Sequence, residues 1–283
     1  MITGTSSGVG LQTAVLLAKQ GHTVYATMRN IHKRERLDLL ARESNITVEV
    51  LQADVQDEQS ITAAVSEIIQ REQRIDVLIN NAGAGFIGAL EQVEMNDIQQ
   101  VMDVNFYGPI RCIKAVLPYM RKQHNGHIIN VSSIGGLVGQ PLNEIYCAAK
   151  FALEGLTESI ATYLHPYFGI HASLIEPGGI ITEFTNTVMK QVEDRGGVAH
   201  GAYSELANDY HNYRNVFTDE VKARVFQTAG QVAQVISDCI NDPVPALRYL
   251  TSESAQEFTR LKTGLDPTGV ELQNTIRNRI LNK

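Results

Sequence analysis

Met1-Ile2-Thr3-Gly4-Thr5-Ser6-Ser7-Gly8-Val9-Gly10 opens the chain. Leu11 to Gln20 follows with apolar residues at helical spacing, and Gly21 stands where a helix stop is expected. Gly4, Gly8 and Gly10 therefore lie where a strand turns into a helix. Such a turn suits a phosphate, because small residues let the backbone approach and the free N–H groups of the helix start face the anion. Only Met1 to Thr3 is left to form the strand, whereas strands usually run to about five residues. The first strand is therefore expected to lack natural residues at its start.

The same alternation runs outward from this turn. Thr23 to Met28 reads as a second strand, ended by Arg29-Asn30, with a charged helix to about Glu43. Ile46 to Ala53 is a third, closed by Asp54, and Asp57 caps a helix to about Arg71. Val77-Leu78-Ile79-Asn80 is a fourth, followed by Asn81-Ala82-Gly83-Ala84-Gly85. A helical pattern covers about Asn96 to Lys122, interrupted at Gly108-Pro109. Ile128 to Val131 is a fifth strand, and a helix carrying Tyr146 runs to about His165. His171 to Ile175 is a sixth, leading into Glu176-Pro177-Gly178-Gly179, and Leu247 to Thr251 is a seventh. Short, wholly apolar strands between helices predict an α/β fold, a doubly wound parallel sheet of about seven strands with helices on both faces. Ligands of such sheets bind at the carboxyl ends of strands.

Residues 1–283 are expected to form a single domain, with a substrate lid around 180–227 and a helical tail over 252–283. The lid region breaks the alternation and is too long for an ordinary connection. Two packed surface helices would fit its pattern as well. Its tyrosines, Tyr203, Tyr210 and Tyr213, either line an apolar cavity or pack as core. Ser254-Ala255-Gln256-Glu257 has the form of a capping box at the start of the tail.

The 283 residues are 43% hydrophobic with a formal net charge of -7. No apolar run reaches the length of about 18 residues that a membrane helix needs, and no signal-peptide pattern is present. Cys112, Cys147 and Cys239 are sparse and lack C-x-x-C spacing, which points to a reduced, cytoplasmic setting. The acidic balance, without a Lys/Arg cluster, argues against nucleic acid as a partner. The eight histidines show no metal-ligand spacing.

The chemistry concentrates between Ser133 and Lys150. Tyr146 and Lys150 stand at i and i+4, so on a helix their Cβ atoms are about 5–6 Å apart. A phenol that moves protons near neutrality must lose about 3 units of pKa, worth about 4 kcal/mol. One unit charge at about 4 Å supplies about 4 kcal/mol at an effective dielectric of about 20. Lys150 is thus of the right size to tune Tyr146. Cys147 faces elsewhere on the helix and reads as packing.

Together these pieces resemble the short-chain dehydrogenase/reductase family, a Rossmann-like fold, over nearly the whole chain to about Thr251. The matching residues are Thr3-Gly4-x-x-x-Gly8-x-Gly10, Asp54-Val55, Asn80-Asn81-Ala82-Gly83, Asn105, Ser133, Tyr146-x-x-x-Lys150 and Pro177-Gly178-x-x-x-Thr182. Val24 to Arg29, Gly135 to Gly139 and Tyr146 to Gly155 look closer still to the hydroxysteroid and retinol dehydrogenase branch. The resemblance implies Tyr146 as general acid in carbonyl reduction and base in alcohol oxidation. It implies Lys150 as its partner and as a ligand of the nicotinamide ribose. Ser133 would donate to the substrate oxygen, with Ser132 as the competing candidate. Asn105 would hold a water that links Lys150 to solvent, unless it is a helix-interior Asn bonded to backbone.

The resemblance also implies a nucleotide site. Gly4, Ser6, Ser7, Gly8, Val9 and Gly10 would form the pyrophosphate turn. Asp54 and Val55 would meet the adenine, although Asp54 also suits a plain turn. Asn81, Ala82 and Gly83 would line the cleft. Pro177, Gly178 and Ile180 would shape the turn before Ile181 and Thr182, which would bond the carboxamide. The end of the second strand, Thr27-Met28-Arg29, carries no acid to bind a ribose 2′-hydroxyl. Arg29, assisted by Ser7, would pair with a 2′-phosphate, so NADP(H) is expected over NAD(H). Arg29 pointing to solvent is the alternative.

The expected function is NADP-dependent interconversion of a secondary alcohol and a ketone, on a fairly large apolar substrate of steroid, retinoid or lipid type. Reduction of a small or acyl-linked ketone is the second reading. A non-catalytic nucleotide sensor is a third, and such a protein would be expected to have lost the Tyr or the Lys. The resemblance further implies a homodimer or homotetramer, paired through the helices of Asn105 and Tyr146, with Ala152, Leu156 and Ser159 on the outward face.

Overall fold

The computed structural model describes residues 1–215, 218, 225–271 and 274, apart from the side chains of residues 213–215. Seven strands form one parallel sheet: β1 (Ile2–Thr3), β2 (Tyr25–Met28), β3 (Glu49–Gln52), β4 (Val77–Asn80), β5 (Gly126–Val131), β6 (Ile170–Glu176) and β9 (Arg248–Leu250), in the order β3-β2-β1-β4-β5-β6-β9. The chain builds outward from β1 to β3, then returns to the other side of β1 and builds from β4 to β9. The carboxyl ends of β1 and β4 therefore part on opposite sides of a crevice, the place where such sheets take ligands.

The helices follow from the pattern of the strands. Successive side chains of a strand point to opposite faces. Leu78 and Ile128 belong to one core, with α3 (Glu58–Glu72), α5 (Gly108–Gln123) and α6 (Glu144–Phe168). Their neighbours Ile79 and Ile129 belong to the other, with α1 (Gly8–Lys19), α2 (Glu35–Glu43) and α9 (Ala229–Asn241). Burial on both faces explains why these strands read as unbroken apolar runs. Each such side chain contributes about 1.5–3 kcal/mol when fully buried.

Several local expectations change. The interruption expected at Gly108-Pro109 takes the form of a widened turn just before it. The chain runs from α4 (Met95–Met102) through a widened π-helical turn (Asp103–Tyr107) into α5, with Pro109 in the first turn of α5, where the missing N–H costs nothing. The tail helix α10 (Glu253–Thr263) is capped by Ser252, which accepts from the Ala255 N–H, and not by Ser254. A full capping box is instead made by Thr228 and Gln231 at α9.

The region after β6 holds β7 (Gly179–Ile181), α7 (Glu183–Asp194), α8 (Ser204–Asn215) and β8 (Phe226–Thr228). β7 and β8 pair in parallel as a separate two-stranded sheet that periodicity did not reveal. Tyr203 and Tyr210 pack against a small core of Ile87, Ala89, Leu142, Val188 and Val192, which answers the choice left open above in favour of packing. The side chain of Tyr213 and the tail beyond 274 lie outside the described residues. Among the described residues no helix is long and apolar enough to cross a membrane.

Candidate active site

The crevice begins at the glycine turn. Gly4 has φ 71°, and a Cβ there would stand 2.7 Å from Ala82 Cα. A Cβ on Gly10 would stand 2.4 Å from Asn81 Nδ2 and 2.5 Å from the Gly4 carbonyl oxygen. The glycines thus let the turn after β1 lie directly on the loop after β4. Asn81 locks the two together, its Nδ2 donating to the Thr3 and Gly4 carbonyls at 2.9 and 3.1 Å. The Asn81 and Ala82 N–H groups both donate to Thr3 Oγ1 at 3.0 Å.

Ser7 occupies the N-cap of α1, yet its side chain makes no capping bond. Ser6, Ser7 and Gly8 remain half-buried beside the cleft, while Val9 is buried in the core behind them. Helix N–H groups close to backbone and free of a serine cap fit a dinucleotide's pyrophosphate. Arg29 is exposed at the end of β2 and its guanidinium makes no ion pair among the described residues. The glycine turn and the exposed Arg29 thus stand side by side, after β1 and after β2.

The opposite wall holds the reactive groups. β5 delivers Ser132 and Ser133, and α6 delivers Tyr146 and Lys150. Ser133 Oγ accepts from the Gly135 N–H at 3.0 Å and bonds the Tyr146 hydroxyl. Ser132 points the other way, toward Glu154. The structure thus selects Ser133 over Ser132. Lys150 is 4% exposed and donates to the Val131 carbonyl at 2.9 Å. Its ammonium stands 5.7 Å from the centre of the Tyr146 ring.

The expected electrostatics are corrected here. Burial pushes the Tyr146 hydroxyl up to about 12, with the Ser133 bond opposing. Burial also brings Lys150 down to about 8, with Glu154 opposing. Tied to Val131, the ammonium lies over the ring and not on the phenol oxygen. The pair alone therefore leaves Tyr146 a neutral proton donor.

Asn105 lies in the π-helical turn and is 1% exposed. Its Nδ2 donates to the Ala84 and Val101 carbonyls at 2.7 and 2.9 Å, and its Oδ1 accepts from the Ala84 N–H at 3.2 Å. It is bonded to helix backbone, and a Cβ on Gly83 would stand 3.1 Å from its Oδ1 and 3.8 Å from Lys150 Nζ. The widened turn brings Asn105 into this corner.

The outer candidates are less uniform. Asp54 accepts from the Gln56 N–H at 3.0 Å, so its carboxylate closes a turn. Val55 is buried against the π-helical turn, where a Cβ on Gly108 would stand 3.0 Å from it. The Pro177 carbonyl accepts from the Ile134 N–H at 3.0 Å, tying the loop after β6 to the Ser133 loop. Gly178 has room for a methyl group near Ala255. Ile180 and Thr182 border a cavity of about 530 Å³ with Gly8, Arg36 and Phe226. Ile181 borders the same cavity and is 67% exposed.

Three residues at this mouth escaped the sequence reading. Phe184 of α7 sets its ring 6.2 Å from Tyr146, as a roof over the phenol. Glu183 accepts from Arg36 of α2 and from the Gly8 N–H, so a carboxylate reaches the start of α1. Its own backbone N–H first, then Arg36 and the Gly8 N–H, hold Glu183 below the ordinary carboxylate range, with burial opposing. The one signal for α7 was apolar spacing at Phe184, Val188 and Val192. Nothing local marks Arg36, which acts on a residue far along the chain.

A sequence model of the short chain dehydrogenase family matches residues 1–193. Human 17-beta-hydroxysteroid dehydrogenase type 1 is 40% identical over 280 residues, covering 95% of this chain and 81% of that protein. Human retinol dehydrogenase 8 is 39% identical over 277 residues, covering 95% and 86%. The solved structure described as ElxO with NADP bound superposes with a TM-score of 0.74 at 26% identity, covering 90% of this chain and 97% of the other. The glycine turn, the Ser133–Tyr146–Lys150 wall and these likenesses agree: the chain belongs to the short-chain dehydrogenase/reductase family, in the branch that holds the hydroxysteroid and retinol dehydrogenases, and is an oxidoreductase.

Proposed function

We propose that this oxidoreductase interconverts a secondary alcohol and a ketone by hydride transfer, preferring NADP(H), on a fairly large apolar substrate of steroid, retinoid or lipid type. The observation that carries the reading is the meeting of Ser133, Tyr146, Lys150 and Asn105 in one crevice beside an anion-binding glycine turn. Bound nicotinamide dinucleotide would supply or accept the hydride. Tyr146 gives its proton to the carbonyl oxygen in reduction and recovers it in oxidation. Ser133 donates to the same oxygen as charge develops there. Support for an apolar substrate comes from the Phe184 roof and from the two relatives named above, which carry steroid and retinol in their names. We read residues 1–283 as one domain with 180–227 as the substrate lid, acting in the cytoplasm. We read it also as a homodimer or homotetramer joined through α6, where Phe151, Tyr163 and Tyr167 are exposed.

The test is a panel of steroid, retinoid, sphingoid and small ketones with NADPH and with NADH. Turnover confined to small or acyl-linked ketones would set the substrate reading aside. Equal kcat/KM with the two cofactors would set the cofactor reading aside. Arg29→Ala should raise the KM for NADPH about tenfold and leave that for NADH nearly unchanged, as loss of one charge-assisted bond costs about 1.5–3 kcal/mol.

Glu183 competes with phosphate for the start of α1 and for Arg36. Glu183→Gln keeps the shape and removes the like charge. It should tighten NADPH binding about threefold, read by quenching of tyrosine fluorescence, since half-exposed charge pairs are worth about 0.2–1 kcal/mol.

A further inference from the structure

Tyr146, Lys150, Glu154 and Glu158 follow one another at one-turn steps along α6. The first two face the crevice, and Glu154 continues the row into the protein, 4% exposed. Arg248, at the start of β9, reaches across the sheet and bonds Glu154 and Glu158, together with Glu176 at the end of β6. Glu176 is completely buried. Gly136 makes room for this set: a Cβ there would stand 2.8 Å from Ser132 Oγ and 2.9 Å from Glu154 Cγ.

The charges do not balance if every group is ionised. The carboxylates Glu154, Glu158 and Glu176 face the cations Arg248 and Lys150, so one negative charge is in excess. The hydrogen bonding has a matching gap. Ser132 Oγ, Glu154 Oε1 and Glu176 Oε2 have no partner in hydrogen-bond geometry among the described residues; the Ser132 hydroxyl is turned toward Glu154, which leaves Glu176 without a donor, and the two carboxyl groups lie within reach of each other. One proton between them fills the gap and removes the excess charge. Burial pushes both carboxyls up, but Arg248, Ser132 and Glu176 all oppose it at Glu154, whereas at Glu176 the neighbouring Glu154 adds to burial against Arg248, so the proton rests on Glu176.

We propose that Glu154 is a positioning residue for the Tyr146–Lys150 pair: held ionised by Arg248 and by a proton resting on Glu176, it keeps Lys150 charged in a buried site. The inference rests on the reading of Tyr146 and Lys150 given above. A buried ammonium without a carboxylate near it sheds its proton. The groups that otherwise face Lys150 are neutral: the Val131 carbonyl on β5, Asn105 from the π-helical turn, and Tyr146 with its partner Ser133. Glu154 is the charged group that raises Lys150 against burial.

The test reads Lys150 directly, by NMR titration of ¹³C-labelled lysine in the full chain, with Lys150→Met to identify its resonance. The pH profile of kcat is measured alongside. Glu154→Gln should lower the apparent pKa of Lys150 by about 1 unit, a tenfold change in the ammonium ratio. The alkaline limb of kcat should move down with it. Glu176→Gln should leave both within about 0.3 units, because its amide offers an oxygen to Arg248 and an N–H to Glu154, as the neutral acid does. An unchanged Lys150 titration in Glu154→Gln would overturn the proposal. So would a fall in Glu176→Gln as large as that expected of Glu154→Gln, and this second variant decides alone if the first does not fold. Tyr146→Phe separates the two levels. Normal turnover in that variant removes the catalytic reading, whatever the NMR shows. Lost turnover with an unmoved Lys150 removes only the role of Glu154.

Discussion

Tyr146→Phe should lower kcat by about a thousandfold in either direction, within the range of about 10²–10⁴ that a positioned acid or base contributes. NADPH affinity should stay within about twofold of the parent. The split follows from the geometry. The ring is held by its place on α6 and by its contact with Phe184, and phenylalanine keeps both. Only the hydroxyl is lost, and with it the bond to Ser133. The phenol, pushed up to about 12 by burial, carries its proton at neutral pH and so is ready as an acid for reduction. No neighbour can replace it. Lys150 is tied to Val131, and Cys147 is buried with its thiol toward the Val138 carbonyl. Stopped-flow turnover beside a fluorescence titration of NADPH separates the two effects. Turnover within tenfold of the parent would show that another group moves the proton.

Gly10→Ala should be the most damaging change outside the reactive groups. The new Cβ would lie 2.4 Å from Asn81 Nδ2 and 2.5 Å from the Gly4 carbonyl oxygen, and the second of these is backbone that cannot swing aside. Overpacking of this kind costs about 1–3 kcal/mol or more. For a chain of this size each kcal/mol is about 2–4 °C in Tm. A fall of about 6 °C or more is expected by differential scanning calorimetry. Relief of the clash must push α1 away from the loop after β4, which removes the Asn81 bonds to Thr3 and Gly4. NADPH binding should therefore weaken at least tenfold even at temperatures where the variant is folded. Gly155→Ala is the contrast. That glycine is exposed on α6 with no atom within 4 Å of the added carbon. Within one subunit an alanine there should be neutral or stabilising by up to about 1 kcal/mol. Equal losses in the two variants would mean that backbone freedom, and not the close approach, decides.

The two expectations draw on different kinds of information. Short-range pattern carried the alternation of strands and helices, the strand-to-helix turn with its glycines, and the four-residue step from Tyr146 to Lys150. Each is set by neighbours within a few residues, where the periods of strand and helix leave a readable mark. The sequence by itself therefore determined the parallel sheet, the glycine-rich strand-to-helix turn and the four-residue step from Tyr146 to Lys150, while the choice between Ser132 and Ser133 waited for the fold. The tertiary structure decided what these groups feel. Arg36 meets Glu183, Phe184 covers Tyr146, and Arg248 gathers Glu154 and Glu176 from separate elements. None of these pairs shares a period, because contacts between distant segments depend on strand order, which no local pattern encodes. Tyr146 shows the consequence most plainly. Its spacing from Lys150 promised a lowered pKa, and helical spacing did hold. The packing around it removed water from the phenol and tied the ammonium to Val131, so desolvation outweighed the Ser133 bond and the hydroxyl moved the other way.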